Sequence, residues 1–286
     1  MNFGGLEPEY TGLERSAFVV IPVPYDLTST YQSGSRRGPL AILEASGNME
    51  LYDEELDRET YRVGIHTAPA VEADASGPES MVHAVRERVE EAVGLEKIPV
   101  LLGGEHSISL GAVQALKRKY PDLKVLQLDA HADLRESYQG TPYSHACIAR
   151  RIVEICPLVQ AGIRSMSAPE ALYRKESGIH SFSADFVMAG DANLDRISEL
   201  LDGDLYITVD LDALDPAFMP ATGTPEPGGI DWRALTGLLR RVAKRTRIRG
   251  IDVVELSPLP GLVAPDFLAA KLVYRLMGYA CISVNS

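Results

Sequence analysis

The sequence predicts an α/β fold built on a mainly parallel sheet that helices cover on both faces. Short, continuously apolar runs alternate along the chain with longer amphipathic segments. Strands of that kind are typical of parallel sheets, because the crossover helices bury both faces. The 286 residues contain no internal repeat, low-complexity segment or Ser/Gly linker, so we expect one domain spanning residues 1–286.

The individual elements follow from this alternation. Six apolar runs are predicted to be strands: residues 17–23, 98–102, 123–128, 158–163, 204–209 and 249–254. The segments predicted to be helices are 38–45, 76–97, 107–120, 145–155, 169–176, 231–245 and 264–280. Ser76 is the expected cap of the second helix, with Pro78 in its first turn. The Pro- and Gly-rich stretch 216–229 is predicted to be a long ordered loop, not a domain boundary.

Composition excludes several classes of partner. The net charge is -12, which disfavours contact with nucleic acid and with anionic membranes. The N-terminus has no signal-peptide pattern, and no apolar run reaches the about 18 residues of a transmembrane helix. Three cysteines, Cys147, Cys156 and Cys281, have no zinc or disulfide spacing. We therefore expect reduced thiols and a cytoplasmic protein.

Four of the predicted strands end in acidic or imidazole side chains. Residues 103–107 read GGEHS and residues 129–133 read DAHAD, each directly after a strand. Asp210 and Asp212 follow the strand 204–209, and Glu255 follows the strand 249–254. Ligands of open parallel sheets bind outside the carboxyl ends of the strands. These side chains are therefore predicted to meet at one edge of the sheet.

The composition of this edge indicates a metal site. It gathers four carboxylates and two imidazoles: His106, Asp129, His131, Asp133, Asp210 and Asp212. Alternate residues of an extended chain share a face, so the DAHAD ligands project together. Four adjacent carboxylates repel one another unless cations are bound. Six ligands exceed one tetrahedral zinc, and oxygen and imidazole donors without thiolate favour Mn²⁺.

Each motif alone has a less specific interpretation. A lone Asp-x-His-x-Asp is compatible with a solvated loop or a helix cap, and a lone Asp-x-Asp is weaker still. Their joint position at strand ends, beside the GGEHS turn, favours the metal interpretation.

These motifs resemble those of the ureohydrolase family, which includes arginase, agmatinase and related guanidino-acid hydrolases. The resemblance extends from Val20 to the final helix. It rests on four blocks: GGEHS at 103–107, DAHAD at 129–133, VDLDALDP at 209–216 followed by ATGTPEPGG, and DVVELSP at 252–258. It implies a three-layer α/β/α sandwich on a mainly parallel sheet of about eight strands. It also implies two Mn²⁺ per chain.

The resemblance assigns the ligands by position. One ion would be held by His106, Asp129, Asp133 and Asp210. The other would be held by His131, Asp129, Asp210 and Asp212, so that Asp129 and Asp210 bridge the pair. Two ions acidify a shared water, and a hydroxide is strong enough to attack a resonance-stabilised guanidinium carbon. Asp133 would then relay a proton to the leaving amine.

Three further residues are implied to handle the substrate. Glu255 resembles the family's guanidinium-binding glutamate, and a carboxylate can accept paired N–H donors; the alternative is an acid paired with a surface arginine. Thr224 is similar to a residue that helps to seat the guanidinium. His145 matches the family's mobile histidine, which orders substrate or shuttles protons; a structural histidine is the alternative. A histidine that titrates near neutral pH suits that role.

The tail of the substrate is less constrained. The segment 162–165 reads GIRS where arginases carry an Asp, and PYSHAC at 142–147 and TPEPGG at 224–229 look like agmatinases. We therefore predict hydrolysis of agmatine to putrescine and urea, a step of polyamine synthesis. Aminopropylagmatine, guanidinobutyrate, guanidinopropionate and arginine are the alternatives. Arg135 would favour a carboxylate tail, unless it pairs with a nearby acid.

Two other classes of protein share parts of this pattern. A catalytically inactive relative could act as a subunit or regulator, but here all six ligands are intact. Zinc deacetylases of this fold use one metal and do not need two histidines with bridging aspartates. The family resemblance further implies a homotrimer or homohexamer, with a small guanidino compound as the only other partner.

Overall fold

A computed structural model describes residues 1–283 of the chain. In chain order, the strands and helices of this part are β1 (Phe18–Val23), α1 (Gly38–Ser46), β2 (Tyr52–Asp53), β3 (Arg58–Glu59), β4 (Ile65–Thr67), α2 (Pro78–Gly94), β5 (Ile98–Gly103), α3 (Ser109–Lys119), β6 (Lys124–Leu128), α4 (Ile148–Val153), β7 (Leu158–Ile163), α5 (Ala168–Ser177), β8 (His180–Ser183), α6 (Ala184–Met188), α7 (Asp191–Ser198), β9 (Gly203–Asp210), α8 (Trp232–Ala243), β10 (Thr246–Val254) and α9 (Ala264–Ser283). None of these helices combines the length and the apolarity that a bilayer crossing requires.

Eight of the strands form one sheet, in which every neighbouring pair is parallel. The order across the sheet is β4-β1-β5-β10-β9-β6-β7-β8. This confirms the predicted α/β class and the sheet of about eight strands. The last strand in the chain, β10, lies between β5 and β9 near the middle of the sheet.

Helices bury both faces of the sheet, as the apolar strands predict. In β1, Phe18 and Val20 pack into a core shared with α1, α8 and α9, while Val19 and Ile21 pack into a second core with α2, α3 and α4. Successive side chains therefore serve opposite faces. Each such residue contributes roughly 1.5–3 kcal/mol when fully buried. This explains why the six residues of β1, FVVIPV, are all apolar.

The six predicted strands are present, and the two strands of the main sheet that were not predicted lie at its edges. β4 and β8 end the sheet on either side, and they are short and partly exposed. Edge strands carry polar residues that keep the exposed edge from pairing with other chains, so they lack the apolar run that marks a central strand. The small hairpin of β2 and β3 and the short helices α6 and α7 were likewise not predicted.

Three predicted helix starts lie too early in the chain. Ser76 is not a cap, because Gly77 precedes α2 and the Ser76 N–H donates to Asp74 Oδ1 at 2.7 Å instead. Pro78 does occupy the first turn. Before α3 and α4 the chain forms 3₁₀ turns at His106–Ile108 and His145–Cys147. These tight turns place one histidine each just outside the following helix.

Gly104 fixes the path of the chain between β5 and the first of these histidines. The N–H of Gly104 donates to Val23 O at 2.9 Å, and that of Glu105 donates to Tyr25 O at 2.8 Å. A Cβ at position 104 would lie 2.0 Å from Tyr25 O, so only glycine permits this approach. The contact holds the GGEHS turn against the end of β1.

We expect Gly104→Ala to lower the free energy of unfolding by about 1–3 kcal/mol, because its methyl group would overlap backbone atoms. The control is Gly94→Ala at the end of α2, where an added Cβ meets nothing within 4 Å. That variant should be unchanged or more stable by up to about 1 kcal/mol, since alanine favours the helix. Urea denaturation measures both, and equal stability of the two variants would contradict the close approach.

Candidate active site

The acidic and imidazole side chains come from four strands that are neighbours in the sheet. β5, β10, β9 and β6 lie side by side, and their carboxyl ends form one edge. The segment after β5 supplies His106, and the segment after β6 supplies the DAHAD motif. β9 ends at Asp210, and Glu255 follows β10. The edge predicted from sequence is therefore a continuous one.

One imidazole nitrogen lies at the centre of three carboxylates. His106 Nδ1 is 3.1 Å from Asp129 Oδ2, 3.4 Å from Asp133 Oδ2 and 3.3 Å from Asp210 Oδ2. All four side chains are buried. Although it is surrounded by acceptors, His106 Nδ1 has no hydrogen-bond partner of acceptable geometry. A nitrogen and three oxygens that converge in this way offer lone pairs to a common cation.

A hydrogen-bond chain on the far side of the ring holds His106 in this orientation. Thr208 Oγ1 donates to Asp252 Oδ1 at 2.6 Å and lies 2.8 Å from His106 Nε2. Because the hydroxyl proton is directed to a carboxylate, the Thr208 oxygen accepts from Nε2–H. Tyr206 donates to the other oxygen of Asp252. Nδ1 is thus the nitrogen directed at the cluster, where it would offer its lone pair to a cation, as metal-binding histidines do.

A second group of ligands adjoins the first. His131 Nδ1 lies 3.0 Å from Asp212 Oδ2 and 3.7 Å from Asp129 Oδ1. Asp129 thus directs one oxygen toward each histidine. The sets His106, Asp129, Asp210 and Asp129, His131, Asp212 each bring their ligand atoms within 4.8 Å of one another. This geometry fits two cations that share Asp129.

The electrostatics of the cluster also fit cations. Burial and the charges of Asp212 and Asp129 raise the pKa of Asp210 well above its usual value. Burial and Asp129 raise the pKa of Asp133 to about 7. Although burial opposes the shift, Asp212 and Asp129 raise the pKa of His131 to about 12. Without bound cations, the cluster therefore retains protons that reduce its negative charge, and divalent ions could take their place. The oxygen and nitrogen donors of the cluster suit borderline ions.

A cavity of about 320 Å³ opens above this cluster. Its lining includes seven of the nine residues predicted from sequence: His131, Asp133, His145, Asp210, Asp212, Thr224 and Glu255. The other two, His106 and Asp129, lie beneath it among the buried ligands. Glu255 Oε1 accepts the backbone N–H of His106 at 2.7 Å, which ties the spare carboxylate to the ligand cluster.

Backbone strain marks the same cavity. Asp133 and Glu255 have φ values of 52° and 65°, although neither is glycine. Non-glycine residues adopt this region at a cost of order 1–3 kcal/mol, and they persist only where the surroundings fix them. Among the described residues, Asp57, Glu96 and Gln139 share this conformation, so it marks the predicted proton relay and guanidinium ligand but is not confined to them.

Burial and neighbouring charge shift the titration of His145. Burial, together with the positive charges of His106 and His131, lowers the pKa of His145 to about 4. The ring is therefore neutral at physiological pH, whereas a histidine that titrates near neutral pH would best suit a proton shuttle. Its placement in the cavity agrees with the sequence analysis.

Two arginines beside the cavity have structural partners. Arg135 Nε lies 3.8 Å from Glu170 Oε2, and its guanidinium stacks over the Tyr138 ring at 4.8 Å. The alternative in which Arg135 pairs with a nearby acid is therefore the observed one. Arg164 Nη2 donates to the carbonyls of Asp212 and Glu226, at 2.8 and 2.7 Å. It thereby fixes the predicted loop 216–229 against the ligand segment.

Comparison with known proteins identifies the family. The model of the arginase family matches residues 16–278. The chain belongs to the arginase family. It is 38% identical to the N(1)-aminopropylagmatine ureohydrolase of Synechocystis sp., over 94% of this chain and 90% of the relative. It is 33% identical to the agmatinase of Pyrococcus horikoshii, over 93% of each chain.

A solved structure supports the fold of this arginase-family chain. The agmatine ureohydrolase of Thermoplasma volcanium superposes with a TM-score of 0.88 at 32% identity, covering 96% of this chain and 93% of that one. The resemblance to ureohydrolases stated from sequence is thus confirmed. The chain is a hydrolytic enzyme of this family, and the zinc-deacetylase alternative is set aside.

Sequence reasoning missed the residues behind the ligands of this ureohydrolase. Glu226 Oε1 accepts from Ser165 Oγ at 2.8 Å and lies 3.8 Å from His131 Nε2. Its position in the TPEPGG block, which the sequence analysis had already singled out, could have indicated that Glu226 lies near the site. Asp252 lies inside the apolar strand β10, where a fully buried carboxylate requires hydrogen-bond donors. An acid isolated in such a strand could have indicated the series of hydrogen bonds that orients His106.

We expect Mn²⁺ to stabilise the protein more at about pH 8 than at about pH 6. A carboxyl whose pKa is raised by folding stabilises the fold while it is protonated, and this contribution is lost as pH rises through the folded pKa, here about 7 for Asp133. Cations bind the deprotonated form, so their contribution grows over the same interval. At a hundredfold excess over Kd, one ion adds about 2.7 kcal/mol.

Thermal unfolding with and without Mn²⁺ across this pH range measures the effect. The exposed acid Asp202, which pairs with Lys124, offers a control, because Asp202→Asn should leave the pH dependence unchanged. A metal-induced rise in Tm that is constant or falls with increasing pH would show that the buried carboxylates are not the ligands.

Proposed function

We propose that this chain hydrolyses agmatine to putrescine and urea in the cytoplasm, with two Mn²⁺ ions, as a step of polyamine synthesis. The observation that carries the proposal is the spare carboxylate of Glu255. It lines the cavity beside the ligand cluster but belongs to neither ligand group. A carboxylate in that place complements a guanidinium, because it accepts two N–H donors in a charge-assisted pair.

The side chains around the cavity have separate roles in the reaction. The two ions, when bound, supply a strong oxygen nucleophile from water near neutral pH. Glu255 holds the guanidinium, and Thr224, which lines the same cavity, seats its remaining N–H groups. The oxygen of water adds to the guanidinium carbon, and the bond from that carbon to the alkyl nitrogen breaks. Asp133 relays a proton to the departing amine, which leaves urea as the second product.

The surroundings of the cavity support a substrate without a carboxylate tail. Arg135 is engaged by Glu170 and Tyr138, so its charge is already partly compensated. Ser165 stands where arginases carry an Asp that holds the amino acid part of arginine, and its hydroxyl donates to Glu226 instead. Both observations favour a simple alkylguanidine over arginine or guanidinobutyrate.

N1-aminopropylagmatine is the second candidate substrate. The relative from Synechocystis that bears that activity in its name is 38% identical to this chain, against 33% for the agmatinase from Pyrococcus horikoshii. The two substrates share the guanidinium and differ by one aminopropyl arm, so the same cluster serves both. The ratio of kcat/KM for the two compounds decides between them.

We expect the Mn²⁺-loaded protein to release urea from agmatine or aminopropylagmatine faster than from arginine or guanidinobutyrate. Asp210→Ala should reduce turnover by more than about a hundredfold, since even partners behind metal ligands contribute about 10–100-fold. Asp202→Ala, at an exposed position, serves as the control with full turnover. A colorimetric urea assay measures all of these. Release of no urea from any guanidino compound would refute the proposed function, and wild-type turnover in Asp210→Ala would refute the ligand assignment.

Glu255→Gln tests the guanidinium contact separately from the metals. Glutamine keeps an acceptor for the His106 N–H but removes the charge from the pair. Hydrogen bonds to charged groups contribute about 1.5–3 kcal/mol, so kcat/KM for agmatine should fall by about ten- to a hundredfold. Metal content, measured by elemental analysis, should stay at two ions per chain. An unchanged kcat/KM would assign the guanidinium to another acceptor.

A further inference from the structure

His145 is held from one side by two hydroxyl groups. Its ring Nδ1 lies 3.1 Å from Thr28 Oγ1 and 3.3 Å from Ser144 Oγ. The backbone N–H of His145 also donates to Thr28 Oγ1, at 3.1 Å. Thr28 and Ser144 are buried, whereas His145 itself lines the cavity. The two hydroxyls therefore contact the ring on the side of Nδ1 and leave Nε2 for the cavity.

A third group decides which way the proton of Thr28 points. Thr28 Oγ1 donates to Glu105 Oε1 at 2.6 Å, and the Thr28 backbone N–H donates to Glu105 Oε2 at 2.6 Å. Ser107 Oγ also donates to Glu105 Oε1, at 2.6 Å. Glu105 is fully buried in the GGEHS turn. The carboxylate accepts from all three donors and thus takes the only hydroxyl proton that Thr28 has.

The hydrogen-bond inventory then fixes the tautomer of His145. With its proton on Glu105, Thr28 Oγ1 has two lone pairs left, and the backbone N–H of His145 uses one. The other faces Nδ1, so Nδ1 must carry hydrogen, because two facing lone pairs would repel. The Ser144 hydroxyl is free to rotate and accommodates either tautomer, so Thr28 makes the choice.

We propose that Thr28, oriented by Glu105, is a positioning residue that keeps His145 protonated on Nδ1 and unprotonated on Nε2. The nitrogen that faces the cavity is then an acceptor, available to bind a substrate N–H or to take a proton from the reacting groups. The opposite tautomer would present a donor to a cationic substrate. This inference rests on the proposed function for its consequence in turnover, but the tautomer itself does not depend on the substrate.

Variants at position 28 separate positioning from packing. Thr28→Val keeps the shape of the side chain but removes the hydroxyl, which is both the donor to Glu105 and the acceptor for His145. Thr28→Ser keeps the hydroxyl and loses a methyl group. We expect the valine variant to lose about five- to tenfold in kcat with a smaller change in KM, which corresponds to one neutral hydrogen bond. The serine variant should stay within about twofold of wild type, because its hydroxyl can make the same bonds.

The tautomer is measured directly by ¹⁵N NMR of histidine-labelled protein. The sample is loaded with diamagnetic Zn²⁺, and a His145→Asn sample assigns the signal. We expect a protonated Nδ1 in wild type, in Thr28→Ser and in Ser144→Ala, and a shift toward protonated Nε2 in Thr28→Val. Wild-type protein with an unprotonated Nδ1 would overturn the proposal. So would a valine variant with unchanged tautomer and unchanged kcat.

The NMR result also keeps the two proposals distinguishable. If the wild-type protein releases no urea from any guanidino compound, the proposed function fails, but the tautomer measurement still tests Thr28. If Thr28→Val does not fold, the wild-type, Thr28→Ser and Ser144→Ala spectra decide. A Ser144→Ala spectrum with unprotonated Nδ1 would assign the choice of tautomer to Ser144 and overturn the role of Thr28.

Discussion

Repulsion among buried carboxylates governs how this end of the sheet is built. Three of the four aspartates commit one oxygen to a backbone N–H and turn the other toward a histidine. Asp129 Oδ1 accepts from His131 N, Asp210 Oδ1 from Asp212 N, and Asp212 Oδ1 from Ala130 N. The ligand segments are therefore fixed by their own backbone. The charge that remains at the centre is balanced by protons or by cations.

A similar arrangement orients two histidines, one among the buried ligands and one in the lining of the cavity. His106 is held through Thr208 by the buried Asp252, and His145 is held through Thr28 by the buried Glu105. In each pair the carboxylate takes the hydroxyl proton, so the threonine oxygen accepts from the imidazole. Nδ1 of His106 is then the ring nitrogen directed at the ligand cluster, and Nε2 of His145 is the one left for the cavity.

The sequence predicted the central strands and the position of the site, because each of these follows from a simple pattern of residues. Continuous apolar runs located the central strands, and the acids after them located the site, because the carboxyl ends of parallel strands share an edge. It failed for β4 and β8, whose polar edge positions carry no apolar run. It also missed Thr28 and Glu226, because their roles depend on contacts between residues distant in the chain. The depressed pKa of His145 arises from burial and neighbouring charge, which a sequence does not display.

The position of β10 in the sheet affects when the ligand edge can assemble during synthesis of the chain. This strand is the last to be synthesised, yet it fills the gap between β5 and β9. Until residue 254 has left the ribosome, the half of the sheet that carries His106 has no neighbour connecting it to the half that carries Asp129 and Asp210. Pairings of such long sequence separation form slowly. Assembly of the ligand edge therefore waits for β10, the strand that joins the segments after β5 and β9 into one continuous edge.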